Sequence, residues 1–431
     1  MQRHPISELT WGKERTRRLA EWDEKQQEKS ELWAERFKIK GLEVYDRLSR
    51  ETFQKLTPAR TAPVLKELRH PFDSSEPAAV EPEELCRYAV VYYQDMLTSR
   101  RQGEGPETDL AADSNHWNNT TVRLHTQGRL DLDRPITKVE AEEALKAMAN
   151  GKTPRNDGLP TEFYRQHWNL LGDDLIEIYN EMQMGGKLPE SACGGIISIL
   201  FKKGDTSEIR NWRPISLLNV SYKILAKVMA RRLGRYLSDL MEDDQTTFVR
   251  GRSIYENIVT AVEVLEVVSE EDLEVNVLLL DMEKAYDQVN WSYVLTSLKW
   301  MGFGEVFCNW VVGLYASSSA SIMVNGHISA SFRLSRSLRQ GCPLAPLLFV
   351  VHLEVPLNNI RTNAQILGID VGQRACKVKA LADDIFAVSA NTVESLMALR
   401  YCLRQNEELS EAAINWFKYM CSCYLEGTPL R

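Results

Sequence analysis

The sequence has little of what marks a membrane, secreted or strongly basic protein. Its net charge is -8 over 431 residues, which excludes nucleic-acid binding by overall basicity but allows a local basic surface. Eight cysteines are scattered, with Cys421 and Cys423 as their one close pair, so a disulfide framework or zinc site is not expected. The longest apolar run is broken by prolines, His352 and Glu354, and no signal-peptide pattern opens the chain. We therefore expect an intracellular protein without a membrane partner.

Changes of composition along the chain predict its domain organisation. Residues 11–55 carry charges of both signs and sparse apolar residues, which predicts a long solvated helix or helix pair. A second helical pattern, from Pro82 to Thr98, is followed by a polar linker. We therefore predict a helical N-terminal extension with its linker over residues 1–134.

Clearer patterns of helices and strands begin at Pro135. Thr137 and Glu140 form a capping box ahead of an amphipathic helix. Residues 194–218 then read as a β-hairpin. The tip and flank of this hairpin carry four cations, Lys202, Lys203, Arg210 and Arg213. Positive charge is thus expected to gather at one end of the hairpin.

The helix predicted over residues 222–233 pairs an apolar stripe with a basic one. The basic stripe consists of Lys223, Lys227, Arg231 and Arg235. A solvated helix face is the ordinary interpretation of such a stripe. Because solvated faces usually mix signs and this segment contains no acid, we favour contact with a nucleic-acid phosphate backbone.

Two later segments carry polar residues beside apolar runs. EVNVLLLD, residues 274–281, is a continuous apolar strand of the kind buried on both faces, and it ends in Asp281. A hairpin turning on Asn325 and Gly326 follows. The apolar helix predicted within residues 338–355 is preceded by Arg339, Gln340 and Gly341, which make a candidate cradle for an anion or nucleotide.

The segment VKALADDIFAV, residues 378–388, sets two adjacent acids, Asp383 and Asp384, between apolar runs. We predict two short strands, Lys377–Leu381 and Ile385–Val388, joined by a tight turn. Like charges about 4 Å apart cost on the order of 4 kcal/mol at an effective dielectric of 20, so a cation, a proton or exposure to water must relieve them. From this segment alone an ordinary Asp-containing turn is favoured over a divalent-metal site.

Motifs elsewhere in the sequence, taken in order, favour the divalent-metal site over the ordinary turn. DMEKAYD (281–287), RQGCPLAPLLF (339–349) and LADD (381–384) resemble the A, B and C motifs of reverse transcriptases, and more narrowly those of non-LTR (LINE-type) retrotransposons. GKTPRNDGLPTEFY, KKGDTSEIRNWRPISLLN, YKILAKVMARRL, DQTTFVRGRSIYENI and LSEAAINWFK resemble further segments of that group in the same order. The resemblance covers roughly Pro135 to Gly427, with too many ordered motifs for chance.

The resemblance implies a right-hand polymerase of the α/β (α+β) class that copies RNA into DNA. Its fingers would span residues 135–257, and its palm, with an antiparallel sheet packed on helices, residues 258–431. The implied partners are an RNA template, a DNA primer and deoxynucleoside triphosphates. Asp281 and Asp383, with Asp384 alongside, would bind two Mg²⁺ ions, or Mn²⁺, through the hard oxygen ligands that these ions prefer.

The same resemblance implies roles for residues around these acids. Tyr286 would be the aromatic gate that rejects a 2′-hydroxyl, although a core tyrosine also fits the position. Gln340, with Arg339 beside it and Gly341 permitting close approach, would contact the incoming nucleotide. The triphosphate would meet Arg213 and one of Lys202 and Lys203. Lys418 would donate a proton to pyrophosphate, with an ordinary surface lysine as a comparable interpretation.

Several positions depart from the family pattern. Leu381 stands where an aromatic residue is usual. Arg155, Thr247 and Ser337 replace glycines, and each is expected to strain the backbone by about 1 kcal/mol or more where φ is positive. The chain ends at Arg431, just past the last motif, so we expect a partial element product without endonuclease or thumb.

Two functions of different class follow. The first is RNA-directed DNA polymerisation; the second is RNA binding through the basic stripe by a catalytically silent, domesticated or truncated descendant. A carboxylate-metal nuclease leaves Tyr286 and the RQG segment unexplained. We expect the protein in the cytoplasm, the nucleus or both, since copying into chromosomes would imply nuclear access. The sequence leaves the oligomeric state open.

Overall fold

The computed structural model describes residue 24 and residues 64–101, 103, 105–112, 114–151, 157–371, 374–416 and 420–423. The helix predicted over residues 11–55, apart from residue 24, and Lys418 lie outside the described residues. All described residues except residue 24 belong to one compact unit, Val64–Arg431. Within this described part of the chain, no helix is long and apolar enough to span a membrane.

Helices and strands alternate along this unit. The helices are α1 (Pro82–Leu97), α2 (Thr126–Asp133), α3 (Lys138–Lys146), α4 (Thr161–Gln166), α5 (Trp168–Glu181), α6 (Glu190–Cys193), α7 (Val220–Leu233), α8 (Leu237–Leu240), α9 (Ile254–Glu270), α10 (Trp291–Trp300), α11 (Glu305–Tyr315), α12 (Ala345–Thr362) and α13 (Val393–Ser410). The strands are β1 (Gly194–Phe201), β2 (Trp212–Leu218), β3 (Val275–Asp281), β4 (Ser319–Val324), β5 (His327–Ile328), β6 (Phe332–Arg333), β7 (Ile369–Val371), β8 (Arg374–Cys376), β9 (Val378–Leu381), β10 (Asp384–Ala390) and β11 (Met420–Cys423).

The first sheet has the strand order β2-β1-β4-β5, with β6 paired to β4. β1 and β2 form the hairpin predicted over residues 194–218 and pair antiparallel. β4 and β5 form the second predicted hairpin, with φ of 49° at Asn325 and 89° at Gly326, as its two-residue turn requires. Because β4 also pairs in parallel with β1, the sheet joins strands from both sides of residue 257.

The second sheet has the order β11-β3-β10-β9, and its neighbouring strands are antiparallel. Its β9–β10 hairpin confirms the two strands and tight turn predicted around Asp383 and Asp384. Helices α9 and α12 contact β9, and α13 contacts β10. β3 is largely buried, as expected of its apolar run, but Leu279 is 45% exposed. The sheet therefore packs on helices and leaves one face partly open.

Buried ionic contacts help to fix α7 against the preceding segment. The capping box predicted at Thr137 and Glu140 is present at the start of α3. Glu140 also accepts a hydrogen bond of 2.8 Å from Arg232, which is 1% exposed. Burial acts to raise the pKa of Glu140, but hydrogen bonds from Arg232 and Arg134 lower it to about 2. The charge of Glu140 thus compensates a buried guanidinium.

Backbone strain occurs at one of the replaced glycines. Ser337 has a φ of 103°, so the strain expected there is present. The expectation for Thr247 is wrong, because the positive φ, 59°, falls on the next residue, Phe248. Arg155 lies outside the described residues.

We expect Ser337→Gly to raise the free energy of unfolding by about 1 kcal/mol, because glycine adopts this φ without a Cβ clash. The backbone bonds of Ser337 to Val289 and from Trp291 are retained by glycine. Urea denaturation measures the change. Ser331→Gly, at an exposed serine without positive φ, is the matched control and should lower stability. A Ser337→Gly protein no more stable than the wild type contradicts the prediction.

Candidate active site

Three acids lie at the tip of the second sheet. Asp281 ends β3 and pairs in register with Asp384 of β10. The backbone N–H of Met282 donates to the carbonyl oxygen of Asp383 at 3.1 Å, which ties the strand end to the hairpin turn. Ala382, in that turn, has a φ of 54°, as two-residue hairpin turns require. Strand pairing thus brings together acids that are far apart in sequence.

Two clefts flank these acids. The first cleft, with a volume of about 580 Å³, is lined by Asp281 and Asp383. The second cleft, of about 590 Å³, is lined by Asp281 and Asp384. The first cleft also gathers most of the predicted nucleotide-binding residues, namely Lys202, Lys203, Arg213, Tyr286, Gln340 and Gly341. The two clefts share Asp281 and both lysines.

The β1–β2 hairpin supplies positive charge to the first cleft. The N–H of Lys202 donates to the carbonyl of Asn211 at 2.9 Å, which closes the hairpin tip. Sequence reasoning missed Lys284, whose Nζ donates to the carbonyl of Arg210 at 2.8 Å. Burial lowers the pKa of Lys284. The charges of Asp287 and Glu283 oppose this shift, and those of Lys202 and Arg213 add to it. Cations crowded in this way favour an anionic ligand.

Gly341 is required by the protein's own backbone. It has a φ of 117°, and a Cβ at this position would overlap the carbonyl oxygen of Ser216 in β2. The N–H of Ser216 in turn donates to the carbonyl oxygen of Gln340 at 2.7 Å. Glycine therefore lets the segment at 340–341 lie directly on β2, while Gln340 and Gly341 both line the first cleft.

The prediction that Arg339 contacts a nucleotide is wrong. Arg339 is 1% exposed, and the first cleft does not include it. Its guanidinium donates to the carbonyls of Cys193 at 2.6 Å and Ser319 at 3.2 Å, and lies over the ring of Tyr222. The charge that suggested an anion cradle instead links β4 to the end of α6, directly before β1.

The ring of Tyr286 is fixed by stacking on an aromatic neighbour. Its ring stacks on that of Phe349 in α12, with centroids 4.7 Å apart and planes inclined by 21°. Its carbonyl accepts from the N–H of Leu338 at 2.7 Å. Burial raises the pKa of Tyr286 to about 12, and the nearby charge of Asp383 adds to the rise. The ring is therefore neutral, fixed and close to the acid at the hairpin tip.

Asp287 is a second residue that sequence reasoning missed. It is 3% exposed, and its Oδ2 accepts a hydrogen bond of 3.0 Å from Nε2 of Gln340. Burial raises the pKa of Asp287 to about 7, although Lys284, Gln340 and Arg213 act to lower it. The acid closes the DMEKAYD segment, but nothing in that segment shows that it is buried beside Gln340.

We expect Asp287→Asn to stabilise the fold at pH 8 but not at pH 4. The pKa of Asp287 in the folded state, about 7, lies above its ordinary value of 3.8. This group therefore favours folding below about pH 4, and that contribution is lost as the pH rises to about 7. At pH 8 the gain is of the order of a few kcal/mol, at about 1.4 kcal/mol per pKa unit. Urea denaturation at both pH values measures it. Equal effects at pH 4 and pH 8 contradict the prediction.

The four residues of the predicted basic stripe do not all lie on one helix, and two of them are paired with acids. α7 ends at Leu233, so Arg235 lies beyond the helix. Arg231 pairs with Glu143 at 2.8 Å, and Arg235 with Asp131 at 3.3 Å. The sequence of the helix shows no acid because these acids come from α2 and α3. Exposed pairs contribute little stability and exchange readily with other anions, so contact with phosphate stays a prediction.

The carboxylates suit a hard divalent cation. Among the described residues, no group of three His, Cys, Asp or Glu side chains forms a metal-ligand cluster. Asp281 and Asp383 nevertheless share the first cleft, and Asp384 lies in register with Asp281. Mg²⁺ usually takes one or two carboxylates and completes its coordination with water and substrate phosphates. Two carboxylates that line a cleft accessible to water and substrate therefore fit this ion.

Carboxylates that can hold a divalent cation, beside cations that can meet phosphate groups, suit metal-assisted phosphoryl transfer. Residues 201–422, just over half of the chain, match the family described as reverse transcriptase (RNA-dependent DNA polymerase). The chain belongs to the reverse transcriptase family, and its predicted resemblance to the enzymes of non-LTR retrotransposons is confirmed.

Curated relatives agree with this family. The transposon TX1 uncharacterized 149 kDa protein of Xenopus laevis is 35% identical over 69% of this chain and 22% of its own length. A retrovirus-related Pol polyprotein from the type-1 retrotransposable element R2 of Popillia japonica is 26% identical over 60% of this chain and 35% of its own. A probable RNA-directed DNA polymerase from transposon BS of Drosophila melanogaster is 24% identical over 56% and 27%, respectively. The matches thus span between a fifth and about a third of these relatives.

Proposed function

We propose that this chain is an RNA-directed DNA polymerase that extends a DNA primer on an RNA template by metal-assisted nucleotidyl transfer. One observation carries the proposal: a single cleft gathers Asp281 and Asp383 with the cations of the β1–β2 hairpin and with Tyr286 and Gln340. Phosphoryl transfer needs charge neutralisation and positioning more than covalent help, and these side chains offer both.

The first cleft is assigned to the incoming deoxynucleoside triphosphate. Arg213 binds its phosphates as a planar fork and Lys202 or Lys203 as a point charge. The ring of Tyr286, fixed on Phe349, forms the surface under the sugar. Gln340 contacts the nucleotide from the wall that Gly341 allows to lie against β2.

The second cleft is assigned to the primer end. It shares Asp281 with the first cleft and adds Asp384, Lys379 and the exposed side chain of Leu279. The primer hydroxyl and the incoming phosphate would then meet near Asp281, which lines both clefts. Leu381, which replaces the usual aromatic residue, also lines this cleft.

Two Mg²⁺ ions are the implied cofactor, and Asp281 and Asp383, with Asp384 alongside, would hold them. When bound, they activate the primer hydroxyl and neutralise the triphosphate and the departing pyrophosphate. The proposal also assigns residues 135–257 to the fingers and residues 258–431 to the palm. Lys418 would donate a proton to pyrophosphate. The template backbone would contact Lys223, Lys227, Arg231 and Arg235.

Primer extension on RNA with Mg²⁺ tests this function. The wild-type chain should add deoxynucleotides, a chelator should stop the reaction, and excess Mg²⁺ should restore it. RNA binding measured in parallel as salt rises separates the alternative function. Absence of extension under every metal condition, with RNA binding that weakens steeply with salt, would instead identify a silent RNA-binding protein.

A further inference from the structure

The buried acid Asp287 has a place in the site that the metal chemistry leaves unexplained. It follows Tyr286 directly, lies six residues beyond Asp281, and is almost fully shielded from water. Its backbone N–H donates to the carbonyl of Lys284 at 2.7 Å, which closes a tight turn after β3. That backbone bond is open to any residue type except proline, so it does not account for a carboxylate here.

The side chain of Asp287 is directed at Gln340. Its Oδ2 accepts from Nε2 of Gln340 at 3.0 Å. The backbone of Gln340 is already fixed, because its carbonyl accepts from the N–H of Ser216 at 2.7 Å and Leu338 is bonded to the carbonyl of Tyr286. The hydrogen bond to Asp287 therefore restrains the side chain of Gln340, including the rotation of its terminal amide.

An ionised carboxylate determines which end of the Gln340 amide faces it. An ionised carboxyl group only accepts hydrogen bonds, whereas an amide has one accepting and one donating end. Nε2 of Gln340 must therefore face Asp287, and Oε1 lies on the other side of the amide carbon. An asparagine at position 287 could bind either end of the Gln340 amide. The shape of the side chain at position 287 therefore does not by itself fix the orientation of the amide; the negative charge does.

We propose that Asp287 is a positioning residue, which holds Nε2 of Gln340 so that the amide oxygen Oε1 is presented to the nucleotide in the first cleft. The inference rests on the proposed function and adds to it the chemical sense of the Gln340 contact: Gln340 accepts a hydrogen bond from the nucleotide. Burial also makes the ionised acid unfavourable for stability, which agrees with a role in the site rather than in the fold.

The test compares the wild type with Asp287→Ala, Asp287→Asn, Gln340→Ala and the Asp287→Ala/Gln340→Ala double variant at pH 8.5, where Asp287 is ionised. Two quantities are measured: the equilibrium Kd of a fluorescent deoxyadenosine triphosphate, and KM and kcat for single-nucleotide extension. We expect Asp287→Ala to raise Kd and KM about tenfold, the effect of one oriented hydrogen bond. We expect kcat to change less than threefold and Asp287→Asn to give an intermediate rise.

The double variant distinguishes positioning from a general structural role. If Asp287 acts through Gln340, the double variant should bind the nucleotide no more weakly than Gln340→Ala alone. The matched control is Asp95→Asn, since Asp95 is an exposed acid outside the first cleft whose charge, like that of Asp287, acts on Tyr92. Asp95→Asn should leave Kd unchanged.

Three results overturn the inference: additive losses in the double variant, a fall in kcat at constant KM, or a wild-type Kd in Asp287→Asn. If Asp287→Ala does not fold, the Asn variant, which keeps the side-chain shape, provides the test. A wild type that binds the nucleotide but does not extend a primer refutes the proposed function, while Kd still decides the role of Asp287.

Discussion

Asp383→Asn is expected to abolish RNA-templated primer extension, with a fall in the single-nucleotide rate of at least about 1,000-fold. Asparagine has nearly the same size and also favours turns, so the β9–β10 hairpin should persist. The substitution removes the charge of Asp383, which with Asp281 is one of the two proposed metal-binding carboxylates that line the first cleft. Loss of about 4 kcal/mol of transition-state stabilisation corresponds to a factor of roughly 1,000.

Rapid-quench measurement of single-nucleotide addition tests this expectation. The matched control is Asp370→Asn, because Asp370 is an exposed acid of β7 that lines neither cleft. The control should retain the wild-type rate, and thermal unfolding should be unchanged in both variants. Equal extension by Asp383→Asn and the wild type means that the assigned metal site is wrong.

Tyr286→Ala is expected to admit ribonucleotides. The ring of Tyr286 is fixed by stacking on Phe349, so it forms a rigid surface where the sugar of the nucleotide would lie. Removing the ring opens space for a 2′-hydroxyl. Differences of this steric kind amount to about 10- to 200-fold, which is the loss of sugar discrimination that we expect.

The ratio of kcat/KM for a deoxynucleotide to that for the matching ribonucleotide measures this effect. Tyr286→Phe keeps the stacked ring and should keep the wild-type ratio. If Tyr286→Ala shows undiminished discrimination, Tyr286 is a core tyrosine, which was the other interpretation of its position.

Local patterns predicted the elements that carry the site. Asn325 and Gly326 gave the turn of one hairpin, and the apolar runs around Asp383 and Asp384 gave another. In both, the side chains near the turn determine the backbone conformation, so a single sequence contains enough information. The predicted nucleotide-binding residues other than Arg339 also line one cleft, since ordered motifs report residues that act together.

Contacts between distant segments were not predictable in the same way. Arg339 appeared as a charge beside a glycine, but it is buried against Cys193 and Ser319. Arg231 meets an acid from α3, which no window around α7 contains. The parallel pairing of β4 with β1 depends likewise on the fold as a whole. Tertiary packing, rather than local propensity, decides each of these cases.

Asp287 illustrates how packing changes the meaning of a residue. In the sequence it is one of three acids in DMEKAYD, and a solvated acid is the ordinary expectation. Its burial and its bond to Gln340 arise because the turn after β3 meets the segment before α12. Its function could therefore be inferred only after both segments had been placed.

Template-directed incorporation tests the central claim most directly. Four RNA templates that differ only in the base next to the primer end are each offered the four deoxynucleoside triphosphates singly, with Mg²⁺. We predict that the chain adds only the deoxynucleotide complementary to each template base. Addition that ignores the template base, or no addition on any template, contradicts RNA-directed DNA synthesis by this chain.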